Sequence, residues 1–249
     1  MIPKRRVQVC PNADAVAQAL AELFTESAAD AIETRGSFHV CLAGGSTPRT
    51  AYSLLATQAE RVVAWEKVQV YFGDERCVPP EHADSNYRMA NEALLSRVGL
   101  RSEHVHRMRS ELGAVAAATE YERILRRQLA PQDGRFDLAL LGMGNDAHTA
   151  SLFPHTEALH VRDRWCVGHF VPRLGVERVT LTYPIINSAR RVLFVVTGAG
   201  KAEPLRAVFS EPLDVSERPA QGIKPTDGEL IWLLDQAAAA KLPPELLTS

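Results

Sequence analysis

Short apolar runs alternate with amphipathic stretches along the whole chain. Phe38–Leu42, Val68–Phe72 and residues 136–141, 179–182, 192–196 and 230–234 are such runs, each bounded by turn formers. Their length and composition predict buried strands. Between them, residues 13–33 carry Val16, Leu20, Leu23 and Phe24 at i, i+4, i+7 and i+8, the spacing of one helical face. Residues 86–98 repeat that pattern with Tyr87, Met89, Leu94, Leu95 and Val98, and Ser85 suits the N-cap. Residues 115–129 read the same way. Strands alternating with helices predict an α/β fold, a doubly wound, mainly parallel sheet with helices on both faces. Residues 1–249 read as one domain with room for a small helical or β appendage. Residues 172–175 and 210–226 read as surface loops, and the tail 243–249 as frayed.

Composition narrows the function classes. At 249 residues with 46% hydrophobic and 23% charged side chains, the chain is an ordinary globular protein. A net charge of −2 provides no global field for nucleic acid or an anionic membrane, so affinity for an anion must be local. Cys10, Cys41, Cys77 and Cys166 are scattered, without metal-ligand spacing, and read as thiols of a reducing compartment. The basic start is not followed by the apolar segment of a signal peptide, and no run reaches a membrane span. A cytoplasmic location is expected.

Ligands of parallel α/β sheets bind beyond the carboxyl ends of the strands. Four strands end in unusual loops. After residue 42 comes Gly44-Gly45-Ser46-Thr47-Pro48. Glycines permit close backbone approach, proline suits the first helical position, Thr47 is a candidate cap, and the free N–H groups favour an anion. The loop matches neither the Walker pattern nor GxGxxG. After residue 72 come Gly73, Asp74, Glu75 and Arg76; Arg76 can hold a phosphate or carboxylate, with Asp74 or Glu75 orienting it. After residue 141, Gly142 and Gly144 precede Asp146 and His148. His148 is the candidate general base, its tautomer fixed by Asp146 or a backbone group. His148, His155 and His160 match no zinc signature, so neither metal nor cofactor is expected. After residue 196, Lys201 follows a Gly-x-Gly turn, and Arg178 is a fainter candidate for the same anion.

In order, these segments resemble the 6-phosphogluconolactonases, relatives of glucosamine-6-phosphate deaminase and ribose-5-phosphate isomerase. The resemblance rests on LAGGSTPRTAYSLL at 42–55, VYFGDERCVPPEHADSNYRMANEALL at 70–95 and FDLALLGMGNDAHTASLFP at 136–154. It continues through RVTLTYPIINSARRVLFVVTGAGKAEPL at 178–205, Pro219-Ala220 and LIWLLDQAAA at 230–239. The Gly-Asp-Glu-Arg, Ser85-Asn86-Tyr87 and Ser-Leu-Phe-Pro segments side with the lactonases against the deaminases. Two positions depart: the lactonases usually carry glycine and proline where this chain has Ala147 and Asn145. If position 147 requires a positive φ, its alanine carries about 1–2 kcal/mol of strain.

The resemblance implies a Rossmann-like fold and opening of 6-phosphogluconolactone in the oxidative pentose phosphate pathway, without metal or redox cofactor. His148 and Asp146 would be catalytic; Gly44, Gly45, Ser46, Thr47, Arg76, Arg178 and Lys201 would hold the phosphorylated sugar lactone. No serine stands in Gly-x-Ser-x-Gly, which argues against an acyl-enzyme. A monomer or small homo-oligomer is expected, with no nucleic-acid or membrane partner. A sugar-phosphate isomerase or deaminase using Asp74 or Glu75 as base is the enzymatic alternative. A non-catalytic sugar-phosphate-binding protein is the other.

Overall fold

The computed structural model describes residues 4–58 and 62–246. Along the chain run β1 (Lys4–Cys10), α1 (Ala13–Arg35), β2 (Phe38–Leu42), α2 (Ser46–Gln58), β3 (Val68–Phe72) and β4 (Asp74–Arg76). There follow α3 (Asn86–Ala93), α4 (Ala114–Leu129), β5 (Leu138–Leu141), β6 (Cys166–Val171) and β7 (Val176–Leu181). The last part holds α5 (Tyr183–Ser188), β8 (Arg191–Val196), α6 (Ala202–Ser210), β9 (Glu229–Asp235) and α7 (Gln236–Ala239).

Six strands pair in the order β1-β9-β8-β5-β2-β3, every neighbour parallel. Strand alternation sends successive side chains to opposite faces. Leu138, Leu140, Leu193, Val195, Ile231 and Leu233 pack with residues of α1, α2 and α3 on one face. Ala139, Leu141, Val192, Phe194, Leu230 and Trp232 pack with α4 and α5 on the other. Burial on both faces is why these segments read as continuous apolar runs.

The expected run 179–182 does not join that sheet. Its residues 179–181 lie in β7, the centre of a second, antiparallel sheet ordered β4-β7-β6, and Thr182 precedes α5. β1 is an edge strand paired only with β9, and its Lys-Arg-Arg start masks it in the sequence. The N–H of Arg88 donates to Ser85 Oγ at 3.1 Å, so Ser85 caps α3 as expected, but the helix stops at Ala93 rather than continuing to residue 98. Among the described residues no helix is long and apolar enough to cross a membrane, and the four cysteines are free thiols. Of the tail, Pro244–Leu246 form a short 3-10 turn, and residues 247–249 lie outside the described residues.

Candidate active site

From β2 the chain adds β3 on one side, then crosses back to place β5 on the other. Loops leaving β2 and β5 therefore diverge, and a crevice opens beyond their carboxyl ends. A cleft of about 330 Å³ lies there, lined from the loops after β2, β3, β5 and β8 and from β7. Gly44, Gly45, Ser46, Thr47, Arg76, His148, Arg178 and Lys201 all line it. Asp146 does not; it stands behind His148 and borders a neighbouring hollow.

The loop after β5 is shaped around the imidazole. Gly144 N–H donates to the carbonyl of His148 at 2.9 Å, and Thr149 Oγ1 donates to the carbonyl of Gly142 at 2.8 Å. Phe153 stacks on the His148 ring with centroids 4.1 Å apart. Asp146 Oδ1 accepts a short hydrogen bond from His148 Nδ1, while Oδ2 accepts from Arg173 Nη2 at 2.6 Å. Burial opposes the charge of Asp146, but the bond and charge of His148, with Arg173 behind, hold its carboxyl down at about 2. With Nδ1 carrying the proton toward Asp146, Nε2 is the basic nitrogen, and it has no protein partner among the described residues.

Alanine at 147 does adopt the left-handed region, with φ of 59°. Its carbonyl accepts from Ala220 N–H at 2.9 Å and its methyl is buried. Relief of roughly 1–2 kcal/mol of strain by glycine competes with loss of a buried methyl worth about 0.8 kcal/mol and with glycine's extra backbone entropy. Ala147→Gly is therefore expected to leave the melting temperature nearly unchanged. Ala147→Val, a β-branched side chain at positive φ in a packed site, should cost about 3 kcal/mol and lower it by roughly 6–12 °C. Thermal unfolding of the two variants checks this.

The cations meet across the small sheet. Arg76 of β4 pairs in register with Arg178 of β7. Like charges directly opposite destabilise a sheet unless an anion joins them. Among the described residues no carboxylate lies within ion-pair distance of Arg76, Arg178 or Lys201. Arg76 Nη1 donates to the carbonyl of Asp84 at 2.5 Å and Arg178 Nη1 to that of Glu177 at 3.1 Å. Burial and the charge of Arg76 push the Arg178 guanidinium down from its usual value, and burial does the same to the Lys201 ammonium. Three cations, none within ion-pair distance of a carboxylate among the described residues, thus share one cleft with the single carboxylate of Asp74.

Two expectations need correction. Helix α2 begins at Ser46, two residues earlier than expected, with Arg49 N–H bonded to the Gly45 carbonyl at 3.1 Å. Thr47 is thus inside the first turn, and its hydroxyl meets Thr197 Oγ1 at 2.7 Å instead of capping. Glu75 neither orients Arg76 through its guanidinium nor stands free as a base. Its buried carboxylate accepts from the N–H groups of Arg76, Asn86 and Tyr87 at 2.8–2.9 Å and from Ser85 Oγ at 3.0 Å, anchoring the start of α3. Burial nevertheless raises its carboxyl pKa.

Asn86 and Ser151 were not expected at the site, and Asp74 was expected only to orient Arg76 or to serve as a rival base, yet all three line the cleft. Asp74 accepts from Ser151 Oγ at 2.6 Å and from Asn86 Nδ2 at 3.1 Å. A serine in the otherwise apolar run 150–153 is the one signal that marks this cluster. Among the described residues no His, Cys, Asp and Glu side chains converge as a metal-binding group.

A family model described as glucosamine-6-phosphate isomerases/6-phosphogluconolactonase matches residues 11–232. The chain is 43% identical over 244 residues to a 6-phosphogluconolactonase of Nostoc sp., covering 96% of this chain and 99% of that one. With a 6-phosphogluconolactonase of Synechocystis sp. identity is 45% over 219 residues, covering 86% and 88%. The solved 6-phosphogluconolactonase from Trypanosoma cruzi is similar at a TM-score of 0.84 and 28% identity, covering 97% and 98%. A monomeric glucosamine-6-phosphate deaminase, at 20% identity and a TM-score of 0.78 over 95% of this chain and 99% of that one, shares the fold.

Proposed function

The chain belongs to the glucosamine-6-phosphate isomerase/6-phosphogluconolactonase family, and from that premise we infer that it is a lactone hydrolase. It opens 6-phospho-D-glucono-1,5-lactone to 6-phosphogluconate in the oxidative pentose phosphate pathway. The observation that carries this reading is His148, backed by Asp146 and with its Nε2 free of protein partners among the described residues, in a cleft shared with three cations that no carboxylate meets at ion-pair distance. The engagement of Glu75 with the start of α3, and of Asp74 with Ser151 and Asn86, weighs against the isomerase or deaminase alternative, which needs a free carboxylate base.

In this account Nε2 takes a proton from water while the oxygen attacks C1. The tetrahedral oxyanion collapses by breaking the bond to the ring oxygen, and His148 returns the proton to that leaving oxygen. Asp146 holds the imidazole in the Nδ1–H tautomer. Arg76, Arg178, Lys201 and the Gly44–Thr47 turn bind the phosphate and supply positive potential near the carbonyl. Residues 1–249 act as one catalytic unit, a cytoplasmic protein working as a monomer or small homo-oligomer.

Binding energy from the distant phosphate positions the lactone for attack. Unphosphorylated gluconolactone is therefore expected to show a kcat/KM lower by on the order of 10²-fold or more. Progress curves on both lactones, each corrected for spontaneous opening, measure the ratio; equal values would remove the phosphate site from the account.

A further inference from the structure

One side chain beside the dyad has no part in the chemistry above. Arg173 sits in the turn of the β6–β7 hairpin, where the carbonyl of Val171 accepts from the N–H groups of Leu174 and Gly175. Its guanidinium reaches across to Asp146 Oδ2 at 2.6 Å, while Oδ1 of the same carboxylate serves His148. The carboxylate side chain is only 14% exposed, whereas Arg173 is 64% exposed. Asp146 is therefore bridged between the imidazole and a permanent cation carried by a different part of the fold.

We propose that Arg173 is a positioning residue of the dyad, fixing the rotation of the Asp146 carboxylate and offsetting part of the charge that His148 feels. The inference rests on the reading of His148 as the base. Its sign follows from electrostatics. An isolated carboxylate beside a histidine stabilises the imidazolium, so the ring keeps its proton to higher pH. A guanidinium on the far oxygen weakens that stabilisation and frees the basic form at lower pH. Other charges also face the ring. Asp74 and Arg76 of β4, Arg178 of β7 and Lys201 after β8 line the cleft. On the outer side, His155 and Glu217 pair at 3.2 Å and border the same hollow as Asp146 and Arg173. Apart from His148, only Arg173 among the described residues bonds the Asp146 side chain.

The test is the pH profile of kcat/KM together with an NMR titration of the His148 ring, assigned by its loss in His148→Asn. Arg173→Ala should move the acid limb, and the His148 titration, upward by about 0.5–1 pH unit at low salt. The plateau kcat should fall several-fold. Arg173→Lys should restore the position of the limb. High salt should shrink the difference between wild type and Arg173→Ala, because the guanidinium is largely in solvent. An acid limb and ring titration that do not move in Arg173→Ala overturn the inference, whatever the plateau rate. Arg173→Gln gives the same reading should the alanine variant misfold. If the wild type opens no lactone, the functional reading fails, yet the ring titration still decides the role of Arg173.

Discussion

Replacing His148 by alanine is expected to lower kcat by on the order of 10²–10⁴, the usual worth of a general base, while KM changes little. The ring's Nδ1 is held by Asp146, so only Nε2 is available to take a proton from water. Among the described residues no second imidazole lines the cleft, and the carboxylate that does, Asp74, is tied to Ser151 and Asn86. The side chain of His148 is 27% exposed, so its loss should not unfold the protein. Asp146 keeps Arg173 as a partner in the variant. Steady-state rates with the phosphorylated lactone, beside the affinity for the product 6-phosphogluconate, separate lost chemistry from lost binding. Near-normal turnover in the folded variant would take His148 out of the catalytic role.

A single methyl group two bonds from any polar atom should do nearly as much. A Cβ on Gly144 would lie 2.0 Å from His148 Nδ1, 2.1 Å from its Cε1 and 2.6 Å from Asp146 Oδ1. A Cβ essentially never comes within 3.0 Å of an atom beyond its own residue and chain neighbours, so the ring and the carboxylate must move. The backbone need not, because the methyl meets side chains. Gly144→Ala is thus expected to reduce kcat by on the order of 10²-fold or more, since small misplacement of a catalytic group is costly. Thermal stability should fall by only about 1–3 kcal/mol, the range of overpacking. Full activity in this variant would show that the observed pairing of His148 with Asp146 is dispensable.

The parts of the fold legible in the sequence are those where burial dictates residue type. Segments β2, β3, β5, β8 and β9 are covered on both faces, and so announce themselves as apolar runs between glycine-rich turns. β1 and β6 do not. The first is an edge strand opening with three cationic residues, and the second is interrupted by Gly168 and His169. β4 consists of Asp74, Glu75 and Arg76, whose strand character arises only from pairing with the remote β7. That pairing also sets Arg76 opposite Arg178, which no local pattern reveals. The same limit applies at Glu75: a charge run usually reads as solvent-facing, yet this carboxylate is buried because the start of α3 supplies its hydrogen bonds. Arg173 belongs to a turn that reads as surface loop, and only the folded hairpin brings it to Asp146.

The most direct test of the account is hydrolysis of 6-phosphogluconolactone, generated in situ, with the spontaneous rate subtracted and a chelator present. Acceleration that persists with the chelator is expected, with no ammonia release from glucosamine-6-phosphate. A rate no faster than background, or ammonia release in place of lactone opening, would contradict it.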